Sequence, residues 1–227
     1  MNKVNGFFDF FIPRQCPGCN TKLLNGEIAI CNDCLSSIKI ADSERIKTEF
    51  ERKFLSTKII SDFTALFVFE KDKAIQSYIH SIKYNKRFLN ARYLGKLIGE
   101  KLKIIIKKWE VDYIVPVPLH RLRITERGFN QSKYIAIGIS NVMDIKVSNR
   151  ILKRIKYTET QTNLSLPERE KNISGAFKIM RERSIINKTF LLVDDVITTG
   201  ATIRECGKVL LEAGADNIYA CSAAIAD

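Results

Sequence analysis

With 227 residues, an apolar share of 45% and a charged share of 27%, the chain has material for one sizeable core and a small appendage, as a soluble globular protein does. No apolar run approaches bilayer-spanning length and no repeat or low-complexity segment occurs, which excludes a membrane-spanning helix and a solenoid. The net charge of +12 points to polyanionic partners, either nucleic acid or phosphorylated small molecules.

The N-terminal "MNKVNGFFDFFIP" is aromatic but short, carries Asp9 and lacks a small-residue cleavage site, so it reads poorly as an export signal and the expected location is cytoplasmic. "CPGC" and "CNDC" follow, placing Cys16 and Cys19 eleven residues before Cys31 and Cys34. Each CxxC turn aims two thiolates at one point, and two such turns complete a tetrahedron. A disulfide framework and a CxxC redox pair are the alternatives. Without an export signal the first loses weight, and two copies this close weigh against the second. A structural zinc is expected, because four protein thiolates leave no position open for a substrate. Residues 1–40 thus read as a zinc-binding module. Cys206 and Cys221 stand in apolar surroundings and read as core residues.

Residues 41–110 read as a linker, a strand and a basic helical region. "ADSERIKTEFERK" (41–53) is a polar connection, and "FTALFVFE" (63–70) has the β-branched and aromatic density of a strand. Residues 73–84 and 87–109 read as helices. In the second, Leu94, Ile98, Leu102, Ile105 and Trp109 form one apolar stripe, while Arg92, Lys96, Lys103 and Lys107 gather on the opposite face. From Lys83 to Lys108 nine basic residues face a single Glu100. A solvated helix surface and a nucleic-acid contact both fit that stripe.

From residue 111 to 227, strand and helix alternate. "VDYIVPVP" is a strand, 130–143 a helix, 145–155 contains a second strand, and a polar loop runs over 156–177. "TFLLVDD" is a continuous apolar strand of the buried parallel kind, 202–214 a helix closed by Gly214, and "NIYACSAAIA" a last strand. The expected fold class is α/β, a mainly parallel sheet with the small zinc module attached.

"LLVDDVITTGAT" (191–202) concentrates the chemistry. Parallel sheets gather ligands at the C-terminal ends of their strands, where Asp194 and Asp195 are expected to close one. The loop Val196, Ile197, Thr198, Thr199, Gly200, Ala201, Thr202 then enters a helix N-terminus, whose free amides and dipole bind phosphate. Carboxylates accept from sugar hydroxyls, so the pattern suits a ribose 5-phosphate. The magnesium strand of a P-loop NTPase is excluded, because no GxxxxGK[ST] occurs. A response-regulator acid pair would need more sheet downstream than one helix and one strand. A helix cap with an incidental acid pair accounts for one Asp and one Thr but not for the whole run.

"VDDVITTGAT" resembles the phosphoribosyl-pyrophosphate (PRPP) loop of the type I phosphoribosyltransferases. With the paired CxxC, "IHSIKY" (79–84), "VPVPLHRLRITERGFNQS" (115–132) and "TQTNLSLPEREKNISGAF" (160–177), nearly the whole chain resembles the ComF family, whose members include competence proteins needed for DNA uptake in natural transformation. The resemblance implies that Asp194 and Asp195 hold the ribose hydroxyls and Thr198 to Thr202 the 5-phosphate. It implies that Arg121 and Arg123 face the pyrophosphate, with Arg127 a further guanidinium for it, and that loop 156–177 closes over the site. Magnesium would accompany PRPP. The implied partners are PRPP, single-stranded DNA through the basic stripe, and other competence proteins. His80 is expected beside a helix end, and His120 near phosphate. No pocket for an acceptor is legible, so two readings stand: a phosphoribosyltransferase of nucleotide metabolism with an unidentified nitrogen acceptor, or a PRPP-binding protein acting in DNA uptake.

Overall fold

In the computed structural model, which describes residues 14–84, 87–157 and 172–226, the strand–helix alternation from residue 111 is present, and the sheet also takes in a strand from before it. The strands are β1 (Asp62–Val68), β2 (Tyr113–Pro116), β3 (Lys146–Val147), β4 (Leu152–Arg154), β5 (Phe177–Ile179), β6 (Thr189–Ile197) and β7 (Asn217–Ile225). Five of them form one sheet in the order β1-β7-β6-β2-β3, and every pairing in it is parallel. β4 and β5 pair antiparallel apart from it, at the base of loop 156–177, most of which lies outside the described residues.

The helices are α1 (Asn32–Ser37), α2 (Ser43–Lys53), α3 (Ala74–Tyr84), α4 (Phe88–Lys101), α5 (Lys103–Lys108), α6 (Arg121–Arg127), α7 (Gln131–Met143) and α8 (Ala201–Glu212). β6 is buried on both faces, and its side chains alternate as a strand requires. Leu191 and Val193 join one core with Ile79, Leu94 and Ile135 of α3, α4 and α7. Phe190 and Leu192 join a second with Ile203, Cys206 and Leu210 of α8. Cys206 and Cys221 are core residues, both fully buried. No helix among the described residues is long and apolar enough to cross a membrane.

Four local expectations need correction. Residues 41–53 are not a plain connection but carry α2, started by Asp42, whose Oδ1 accepts from the Arg45 amide at 2.8 Å. Its inner face packs Ile46 and Phe50 on the second core. The helix expected over 87–109 breaks at Leu102 into α4 and α5. The break shifts the apolar stripe, so Ile106 rather than Ile105 is buried, Ile105 remaining 40% exposed. It also brings Trp109 onto Tyr219, stacked at 4.8 Å, with its Nε1 donating to Asp62. The segment after β2 contains α6, capped by His120 and ended by Gly128 at φ 82°. Residues 145–155 hold two short strands in different sheets. Finally, Asp194 and Asp195 do not end β6, which pairs with β7 as far as Ile197.

The cysteine segment sits on the helical face of the sheet. Cys16, Leu23, Ile30 and Ile38 share the core that contains Tyr78 and Ile82. Residues 39–41 run along the edge of β1, with Val68 donating to the Lys39 carbonyl and Ala41 to that of Leu66.

Candidate functional site

β2 stops pairing with β6 at Val193, so the next two residues of β6 lie beside an open edge at the C-terminal end of the sheet. The amides there turn to local acceptors: Asp195 N–H donates to Asp194 Oδ1 at 2.9 Å and Val196 N–H to Asp195 Oδ1 at 2.7 Å. As strand neighbours the two acids face opposite ways. Asp194 accepts from the Ser132 hydroxyl of α7 at 2.9 Å, whereas Asp195 is buried and forms an ion pair, 3.0 Å long, with Lys83 at the end of α3. Burial, then the charge of Asp195, raises the Asp194 carboxyl to about 7, against the lowering pull of Ser132.

After Ile197 the chain turns through Thr198, Thr199 and Gly200 into α8. Gly200 is in the left-handed region at φ 75°, and a Cβ there would meet the Phe54 ring at 2.8 Å. Only glycine satisfies both conditions. Gly200 brings no side chain to the N-cap of α8; Thr199 Oγ1 accepts from the Ala201 amide at 3.3 Å, and the other first-turn amides have no partner within the helix. Asp194 and residues 196–203 line a pit of about 30 Å³ at that N-terminus. Arg204 donates to the carbonyls of Thr199 at 2.9 Å and Lys53 at 2.6 Å, tying the loop to the end of α2. Lys53 in turn pairs with Glu49, which is 2% exposed and also holds Arg45 and Arg52. The turn is thereby buttressed from below.

The structure thus brings Asp194 together with Val196 to Thr202 and sets Asp195 on the other side of the strand. The arginines divide too. Arg123 pairs with Glu126 at 2.9 Å and lies over the Tyr157 ring, and Arg127 lies over the Tyr84 ring; Arg121 points into a separate groove. His80 stacks on Tyr84 with centroids 4.4 Å apart, and His120 caps α6, its Nδ1 accepting from Leu122. Lys83, Ser132, Arg204 and Lys53 escaped the sequence reading. Two of them lie inside quoted motifs, Lys83 in "IHSIKY" and Ser132 in "RGFNQS"; for Arg204 and Lys53 no local signal exists.

Of the proposed DNA-contacting residues, Arg92, Lys96, Lys103 and Lys107 are all exposed. The break at Leu102 divides them between α4 and α5, and Lys96 lies 3.6 Å from Glu100.

The four cysteines converge. One sulfur from each of Cys16, Cys19, Cys31 and Cys34 lies within 4.8 Å of the others, with Cys19 and Cys31 3.7 Å apart. Metal–sulfur bonds of about 2.3 Å in a tetrahedron place sulfurs about 3.8 Å apart, so the spacing fits a bound ion. The amides of Gly18 and Cys31 donate to Cys16 Sγ, and that of Cys34 to Cys31 Sγ, as thiolate ligands require. Hydrogen bonds from Thr21 lower the Cys19 thiol to about 6. The cluster can hold a metal ion.

Residues 130–225 match the family described as phosphoribosyl transferase domain, a span that runs from α7 to β7 and includes both acids and the phosphate-type loop. Competence protein F of Haemophilus influenzae is 33% identical over 144 residues, covering 62% of this chain and 63% of that protein. DNA utilization protein YhgH of Escherichia coli K12 is 32% identical over 60% of this chain and 61% of its own length. Competence protein ComFC of Streptococcus pneumoniae is 26% identical over 86% of this chain and 87% of its own. The matched segment therefore spans less than two thirds of the first two relatives.

Proposed function

We propose that this chain, which carries a phosphoribosyl transferase domain and is related to competence and DNA-utilization proteins, binds PRPP and acts in the uptake or use of DNA. The observation that carries the reading is the pit where Asp194 meets the N-terminus of α8, whose N-cap residue is a glycine. The 5-phosphate would sit on the amides and hydroxyls of Thr198 to Thr202, and the ribose hydroxyls would bond to Asp194. Asp195, paired with Lys83, would be the second acid available to hold magnesium. Arg123 and Arg127 would meet the leaving group. Magnesium, when bound with PRPP, would neutralise pyrophosphate charge. The four cysteines would carry zinc.

Changing both Asp194 and Asp195 to Ala should weaken binding of magnesium–PRPP by several kcal/mol, each charged hydrogen bond contributing about 1.5–3 kcal/mol. In the wild type the affinity should fall as pH drops through about 7, where Asp194 takes up a proton and loses the charge that strengthens its hydrogen bonds. Calorimetry is the measurement. Equal affinity in wild type and double variant would remove PRPP from the site.

The DNA part of the reading is supported by the names of the relatives and by the exposed stripe Arg92, Lys96, Lys103 and Lys107. Binding of single-stranded DNA through it should fall with salt at about −0.7 per neutralised phosphate. Glutamine at all four positions keeps helix propensity and should flatten that slope while PRPP affinity stays constant. An unchanged slope would leave the stripe a solvated surface and favour the second reading, a phosphoribosyltransferase of nucleotide metabolism.

A further inference from the structure

α6 has two sides. At about 100° per residue, Arg123 and Arg127 lie on one side, over the Tyr157 and Tyr84 rings, while Arg121 and Ile124 turn the other way. On that other side is a groove of about 430 Å³, walled by α6, the start of α7 and β4. Small-molecule sites commonly fall in the range of about 300–1,000 Å³. None of the residues lining the groove lines the pit at the start of α8.

Its chemistry is unusual for this surface. Arg121, Lys133, Lys153 and Arg154 line it, and no acidic residue does. Some exposed cations elsewhere are paired with acids, as Lys96 is with Glu100, Lys188 with Asp112 and Lys208 with Glu212. Among the described residues Arg121, Lys133 and Lys153 have no such partner. The same groove presents Phe129 and Tyr134, packed edge to face at 5.3 Å, above prolines of the β2 end. The wall is fixed by Asn130, whose Nδ2 donates to Val117 O at 2.9 Å and whose Oδ1 accepts from the Ser132 amide at 3.0 Å. Concentrated positive charge beside aromatic faces selects a ligand that is both anionic and planar.

We propose that this groove is a second ligand site that takes a nucleoside monophosphate unit, its base against Phe129 and Tyr134 and its phosphate among Arg121, Lys133, Lys153 and Arg154. Burial lowers the Arg154 guanidinium below its ordinary value, with Asp194 pulling it back up. The unit has two sources, a free nucleotide or the end of a single strand, and both present the same base and phosphate. The inference does not depend on PRPP binding.

The test uses the full chain with Lys133→Glu and Lys153→Glu together. Glutamate at position 133 stands three residues after the Asn130 N-cap, where it suits the helix start, so the fold should persist, checked by its melting curve. Thymidine monophosphate, a short oligothymidylate and inorganic phosphate are titrated by calorimetry, with and without saturating magnesium–PRPP. The wild type should bind the monophosphate or the oligonucleotide at one site per chain in the presence of PRPP, more tightly than phosphate alone. The double variant should lose about tenfold or more of that affinity while its PRPP affinity stays within about threefold. Monophosphate binding would make a free nucleotide the occupant; binding of the oligonucleotide alone would make it a strand end. Three results would overturn the site: neither nucleotide binding below about 1 mM, the variant binding as the wild type does, or PRPP displacing the nucleotide.

Discussion

Cys19→Ser should release the metal and unfold the cysteine segment. Freshly purified, reduced wild-type protein is expected to carry one zinc per chain, and the variant none, by metal analysis. Zinc binding to small modules contributes about 10–16 kcal/mol at neutral pH, which is why such modules are unfolded without it. Here the consequence reaches further, because Leu23, Ile30 and Ile38 of the segment lie in one core with Tyr78 and Ile82 of α3. The edge of β1 would also lose the chain that runs along it at residues 39–41. Chelation should therefore lower the melting temperature of the whole chain and expose apolar surface, rather than merely loosen an appendage. Absence of zinc from the reduced protein, or a serine variant that melts with the wild type, would refute the assignment.

Gly138→Ala should destabilise the protein by about 3 kcal/mol or more, the upper part of the range for overpacking, despite the gain of about 1 kcal/mol that alanine brings to an exposed helix. α4 and α7 meet backbone to backbone. A Cβ on Gly138 would lie 2.2 Å from the Arg92 carbonyl oxygen, and one on Gly95 2.0 Å from that of Ile135. Both obstacles are main chain and cannot swing aside, so the helices must separate and the core around Leu94, Ile135 and Ile139 must open. Gly99→Ala is the control, since its Cβ would meet only the Val142 side chain at 2.9 Å. At roughly 2–4 °C per kcal/mol for a chain of this size, Gly138→Ala and Gly95→Ala should each lower the melting temperature by about 6–12 °C. Gly99→Ala should lower it less. If Gly138→Ala melted at or above the wild type, helix propensity would have outweighed contact, and the close approach would be wrong.

Both predictions concern parts of the chain that differ in how legible they are from sequence. The cysteine cluster is written in the spacing of two CxxC turns, because a local turn sets where its own thiolates point. β6, β7, α7 and α8 were legible for a similar reason: continuous apolar runs and helical periodicity are local properties, and burial merely ratifies them. The turn from β6 into α8 was legible because glycine beside threonines at a strand-to-helix junction has few other uses, although Val196 and Ile197 belong to the strand and Ala201 and Thr202 to the helix rather than to a loop. α2 was missed because its polarity belongs to a buried charge cluster around Glu49, and the reason for that cluster, the carbonyl of Ala226 and the loop tied by Arg204, lies more than a hundred residues away. The single helix expected over 87–109 failed at Leu102, where docking of Ile106 and Trp109 on the sheet outweighed an unbroken local period.

The sequence by itself determined the α/β class, the convergence of four thiolates, and the glycine turn that leads from β6 into α8, since each depends on residues close together in the chain. Tertiary structure alone decided that Asp194 answers to Ser132 and Asp195 to Lys83, on opposite faces of one strand. It also decided that Arg121 turns away from Arg123 and Arg127. The physical reason is that a side chain's direction follows from local backbone geometry, but what it meets depends on which distant elements the core brings beside it.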